Sequence, residues 1–187
     1  MKTPTLVAIV TLISGTAFVR AQDLGTATSS TPYDKYFGPM RTTLSALGSN
    51  HPPLDNVRDY VRTGRGFRYA MKDPLVPQTP AETEATHSGD CKAKSLWVAS
   101  KMDDHTVHFI VGKARAQSGM NHAWLLWKGP DGWLILDATM YSTPLDLARI
   151  GPNEFIPLYS FTSGGGKYVH GGGAARKKAE PKYGDHV

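Results

Sequence analysis

The sequence predicts an α+β domain, with helices first and an antiparallel sheet after them. Apolar residues recur at three-to-four spacing through the first half of the chain. From Thr106 onward they recur at every second position instead. Between two of these alternating runs lies Gly129-Pro130-Asp131-Gly132, whose turn chemistry joins them as a hairpin. Helices segregated from strands along a chain mark α+β architecture rather than an alternating α/β one.

Taken in order, residues 1–21 of the 187 read as an export signal. Lys2 gives a positive start, residues 6–19 are mostly apolar, and Val19-Arg20-Ala21 offers small or apolar residues where a signal peptidase reads. The apolar run is shorter than the roughly 20 residues a membrane-crossing helix requires. The expected product is secreted or periplasmic, with no transmembrane segment after cleavage. Residues 22–32 are small and polar, a flexible lead-in to a single domain over 33–162.

Within that domain, residues 33–47 carry Tyr36, Phe37, Met40, Leu44 and Leu47 at helical spacing, with Gly38-Pro39 interrupting or starting the helix. Residues 54–62 place Leu54, Val57 and Val61 on one side and Asp55, Arg58, Asp59 and Arg62 on the other. The stretch that follows, with Gly64, Gly66, Pro74, Pro77 and Pro80, reads as loop. Residues 91–102 hold neither Gly nor Pro and follow a suitable cap at Asp90 or Ser88. Strands are expected at 106–115, 121–128, 133–137 and 155–161, and a short helix at 143–150. Residues 163–187 are glycine-rich and basic, and read as a disordered tail.

Charge excludes one class of function. The net charge of +5 falls to +3 without Lys2 and Arg20, and the tail from Ser163 accounts for that +3, so residues 22–162 are neutral overall. A nucleic-acid-binding domain is therefore not indicated. The tail supports at most a weak contact with an anionic surface. The scattered histidines His51, His87, His105 and His108 have no Cys or carboxylate at ligand spacing, so no metal site is read from them.

Cys91 is the only cysteine. A lone thiol in an exported protein is either a small buried hydrophobe or a reagent. Its position at a helix start favours the thiolate, because unpaired amides and the helix dipole stabilise negative charge there. His122 can act as base, and Asp137 can orient it. If residues 128–131 form a four-residue loop, Trp127 pairs with Gly132 and His122 lies directly opposite Asp137. An odd shift of register would send Asp137 to the other face. Gln78 and Tyr69 are candidates for a second oxyanion donor by chemistry alone, beside the Cys91 N–H.

Gly89-Asp90-Cys91, His122-Ala123-Trp124 and Leu136-Asp137-Ala138-Thr139 together resemble the three motifs of the transglutaminase-like superfamily. Phe67-Arg68-Tyr69 resembles the aromatic segment that precedes the catalytic helix in that superfamily, and Thr79-Pro80-Ala81-Glu82 is similar to a segment of the bacterial transglutaminase-like cysteine proteinases. The resemblance covers residues 54–140. It implies a papain-related fold, with Cys91 as nucleophile, His122 as general base and then acid, and Asp137 as the orienting carboxylate. The implied reaction is acyl transfer from a peptide or side-chain amide through a thioester, ending in hydrolysis. A crosslinking enzyme and a catalytically inactive peptide-binding module are the alternatives. Those bacterial proteinases carry acidic residues after the cysteine that help to bind calcium, whereas Lys92-Ala93-Lys94 follows here. Two ammonium groups oppose a cation that wants carboxylate oxygens, so no cofactor and no calcium are expected.

Overall fold

A computed structural model describes residues 25–171; the expected export signal and the end of the basic tail lie outside them. The elements run β1 (Thr26–Ala27), α1 (Gly38–Ser45), α2 (Leu54–Gly66), β2 (Arg68–Tyr69), α3 (Pro80–Thr86), β3 (Ser88–Gly89) and α4 (Cys91–Met102). After these come β4 (His108–Arg115), β5 (His122–Gly129), β6 (Gly132–Leu136), β7 (Leu145–Asp146), β8 (Glu154–Thr162) and β9 (Lys167–Val169). Helices thus precede an antiparallel sheet of order β1-β9-β8-β4-β5-β6-β7, while β2 and β3 form a separate parallel pair. The mixed architecture is α+β, as expected.

Local chemistry accounts for the helix starts. α1 begins at Gly38-Pro39 because proline in the first turn gives up no hydrogen bond that a helix needs. α2 buries Val57 and Val61 and leaves Asp55–Arg58 and Asp59–Arg62 as exposed ion pairs. It runs on past residue 62 because Gly64 is buried, with room for little more than a hydrogen against Ala138 and Trp97. α3 corrects the reading of loop there. Pro80 sits in the first turn, the Thr79 hydroxyl accepts the Glu82 N–H at 3.2 Å, and the Glu82 carboxylate accepts the Thr79 N–H at 2.8 Å. This capping box satisfies two donors that the helix start leaves open.

α4 is the central helix. Every residue from Cys91 to Ala99 is buried, including Lys92 and Lys94. The helix is enclosed by α1, α2 and α3 on one side and β5 on the other. Its N-cap is Asp90, whose carboxylate accepts the Ala93 N–H at 3.0 Å.

The sheet divides the core by the alternation its strands carry. Phe109, Val111, Ala123, Leu125 and Trp127 face the helices, and Ile110, Trp124 and Ile135 pack on the other side with Phe155. Three expectations change at the margins. The lead-in and the start of the glycine-rich tail were read as flexible, yet β1 and β9 pair with each other, and β9 continues onto β8. Residues 143–150, read as a short helix, instead give β7 and one 3₁₀ turn at Leu147–Arg149. Backbone pairing with the edge of β6 outweighs a helical tendency too short to sustain itself.

Candidate active site

The site lies where α4 begins, β5 begins and β6 ends. Cys91 is the first residue of α4, a position whose N–H has no intrahelical acceptor. Cys91 is 2 % exposed, and its thiol lies close enough to act on the His122 imidazole. His122 opens β5. Asp137 follows the last residue of β6, with its side chain fully buried.

The hairpin is tighter than expected, and this corrects the register. Gly129 pairs with Gly132, leaving only Pro130 and Asp131 in the turn, and Leu125 pairs with Leu136. Continued by one residue, that register puts Asp137 level with Trp124 rather than His122. The shift is two positions, so the faces are unchanged, because side chains alternate with a period of two. His122 reaches Asp137 diagonally, with Nε2 at 2.8 Å from Oδ2. The other carboxylate oxygen accepts the N–H groups of Thr139 (2.9 Å) and Met140 (3.2 Å), which pins its orientation. The imidazole also stacks on the Trp124 indole at 6.1 Å.

Burial by itself would lower the affinity of His122 for its proton. The hydrogen bonds to Asp137 and Cys91, and the negative charge on both, outweigh that and raise its pKa to about 10. The imidazolium form of His122 is thus favoured through the neutral range. With Nε2 engaged by Asp137, Nδ1 is left for the thiol.

Tyr69, one of the two candidate donors, pairs across β2–β3 with Gly89, two residues before Cys91. Burial, together with the charges of Cys91 and Asp90, raises its phenol to about 12, so it stays a neutral hydrogen-bond donor beside Cys91. Gln78 lies just before the cap of α3, buried, with neither amide atom hydrogen-bonded to the protein. A buried amide with no protein partner has capacity left for a substrate oxygen or water.

Sequence reasoning missed what Lys92 and Lys94 do. The Lys92 ammonium bonds to the Asp90 carboxylate and to the Asp73 carbonyl at 2.9 Å, tying the loop after β2 to the start of α4. The Lys94 ammonium donates to the Phe67 carbonyl at 2.6 Å. Burial and Arg65 lower its pKa, against the pull of Asp137. A signal was present: both lysines fall within a helix whose other early residues are Cys, Ala, Ser and Leu, and a lysine so flanked must find an internal partner.

No family model matches the chain, and no curated protein matches it. Solved structures do. The fold resembles that of Legionella pneumophila LapG. One LapG structure superposes with a TM-score of 0.51 at 18 % identity, covering 74 % of this chain and 80 % of that one. An EGTA-treated LapG gives 0.52 at 18 %, covering 71 % and 75 %. A calcium-bound LapG gives 0.49 at 19 %, covering 70 % and 85 %. LapG is a bacterial transglutaminase-like cysteine protease. At this identity the likeness is one of fold.

The expectation that calcium has no place here is corrected by the comparisons, since a LapG structure of this fold was treated with EGTA, a calcium chelator. Lys92 and Lys94 are not solvent-facing cations but buried, paired groups. The residues beside Cys91 do not fit a metal as they are arranged. The nearest oxygens, from Asp90 and Asp73, hold the Lys92 ammonium, and no group of three or more His, Cys, Asp or Glu among the described residues could hold an ion. No mechanistic step is routed through a metal.

Proposed function

We propose that this chain is an exported, transglutaminase-like thiol hydrolase of papain-related fold that cleaves a peptide or side-chain amide. The observation that carries this reading is the single imidazole held at 2.8 Å from a buried carboxylate, with the buried Cys91 thiol at a helix start acting on the same ring. In the first step the Cys91 sulfur attacks the amide carbon, and the carbonyl electrons move onto oxygen. The oxyanion is received by the Cys91 N–H, with Tyr69 or Gln78 as second donor. His122 gives its proton to the leaving nitrogen as the C–N bond breaks and a thioester forms. Water then attacks the thioester while His122 accepts its proton, and the C–S bond breaks to release the acid and the thiolate. Asp137 holds the imidazole in orientation throughout.

The test combines labelling and turnover. The rate of iodoacetamide modification of Cys91 should stay high through neutral pH in the wild type and fall in His122→Ala. Amide cleavage should vanish in Cys91→Ala, while the wild type should show a thioester adduct on Cys91 by intact-protein mass spectrometry. Release of a product joined to an added amine, in place of the free acid, would convert the assignment to crosslinking. Labelling that ignores His122→Ala would overturn it. Turnover measured with added calcium and with EGTA decides whether the ion seen on LapG acts on this chain.

A further inference from the structure

The large hydrophobic side chains most exposed among the described residues are Tyr69, Met71, Val76, Met120 and Met140. Scattered singly they would mean little, but all five lie on the segments that carry the site. Tyr69 ends β2, and Met71 and Val76 follow on the segment between β2 and α3, which the Lys92 ammonium ties to the start of α4 through the Asp73 carbonyl. Met120 lies two residues before His122. Met140 donates its backbone N–H to the Asp137 carboxylate. Exposed apolar groups gathered around a reactive centre mark an interaction surface, and methionine adapts its shape to varied apolar partners.

A second feature lies beside them. Arg68 and Ala70 donate their N–H groups to His87 and Gly89 across the β2–β3 pair, at 3.0 and 3.2 Å. In a parallel ladder the residue between two such donors turns its own N–H and C=O to the opposite edge. That residue is Tyr69, half-exposed and next to the nucleophile. An extended chain can pair with such an edge, using backbone for affinity and alternate side chains for selection.

Resting on the hydrolase reading, we infer that the substrate is an extended peptide with large apolar side chains on both sides of the cleaved amide. The acyl side lies along Tyr69, Met71 and Val76. The leaving side lies against Met120 and Met140, because the nitrogen must reach His122 to take its proton.

The test uses the full chain carrying Cys91→Ala, so that binding is read apart from chemistry. The probes are fluorescein-labelled, end-blocked peptides Ser-Leu-Gly-Gly-Leu-Ser and its two Leu→Ser versions. Each leucine should strengthen binding roughly tenfold, the effect of partly burying one such side chain. Met120→Ser and Met140→Ser should erase the preference for the second leucine and leave the first. Val76→Ser should do the reverse. In the protein with Cys91 intact, the same rim substitutions should raise KM far more than they lower kcat. Equal binding of all three peptides, or none, overturns the inference. So does self-association that the same substitutions abolish, since a second copy would then be what covers the rim. Selective binding by Cys91→Ala with no cleavage by the wild type would overturn hydrolysis and leave the apolar rim standing.

Discussion

Replacing Lys92 by methionine removes one half of an ion pair from which water is excluded. The Lys92 side chain is fully buried and that of Asp90 is 4 % exposed, so solvent screening does little to soften the loss. Burial already pushes the Asp90 carboxyl upward, opposed by the Lys92 charge and by hydrogen bonds from Lys92 and the backbone N–H of Ala93. Without the ammonium, Asp90 must stay ionised and uncompensated or take up a proton. Deleting one partner of a buried pair costs about 3–5 kcal/mol. Protonation of Asp90 limits the loss here, so about 3 kcal/mol is expected. In a domain of this size that lowers Tm by roughly 6–12 °C. Thermal and urea unfolding of the full chain at neutral pH would measure it. The carboxyl of the variant is raised further in the folded state, so folding binds a proton more readily and stability rises as pH falls. The gap to the wild type should therefore narrow toward about pH 4. Asp90→Asn combined with Lys92→Met should recover much of the loss, because no buried charge is then left alone. A loss below about 1 kcal/mol, or a double variant no better than the single, would refute the argument that this pair is energetically coupled.

Asp137→Asn should lower kcat by about 10²–10⁴-fold with a small effect on KM, as steady-state kinetics would show, because the imidazole loses its orienting charge. Because the folded His122 pKa, about 10, exceeds the ordinary value of 6.5, its contribution to stability is full below pH 6.5 and is lost as pH rises through 10. Urea unfolding across that window should slope downward in the wild type, and His122→Gln should flatten the slope. Gly112→Ala should destabilise by about 1–3 kcal/mol in chemical denaturation. Its Cβ would sit 2.2 Å from the Ile156 carbonyl oxygen and 2.6 Å from the Trp124 ring, at the β4 irregularity opposite His122, so Cys91 labelling should slow as well.

Much of the candidate site is legible in the chain because its signals are local. A cap followed by residues free of Gly and Pro marks the start of α4, so Cys91 could be placed at a helix terminus without any tertiary information. Turn residues between alternating runs marked the hairpin, and parity placed His122 and Asp137 on one face even though the loop length was misjudged. Other elements were illegible for physical reasons. The prolines before α3 hid a capping box whose evidence, Thr79 and Glu82, is as local as any. β1 and β9 have too few residues to announce themselves; β1 exists because β9 supplies its hydrogen bonds, and β9 because it is paired on both edges, with β8 and β1.

Periodicity, cap chemistry and turn chemistry act over a few neighbouring residues, so the α+β order, the thiol at a helix start and the shared face of imidazole and carboxylate follow from the chain alone. Distance, burial and charge compensation depend on what lies far away in sequence. Only the packed protein brings Asp73 to the Lys92 ammonium, carries Phe67 to Lys94, and closes the hairpin in the register that puts His122 Nε2 at 2.8 Å from Asp137. Lysines that composition assigns to solvent become internal ties because α4 is enclosed on every side, and a buried ammonium is stable only where distant oxygens are brought to it.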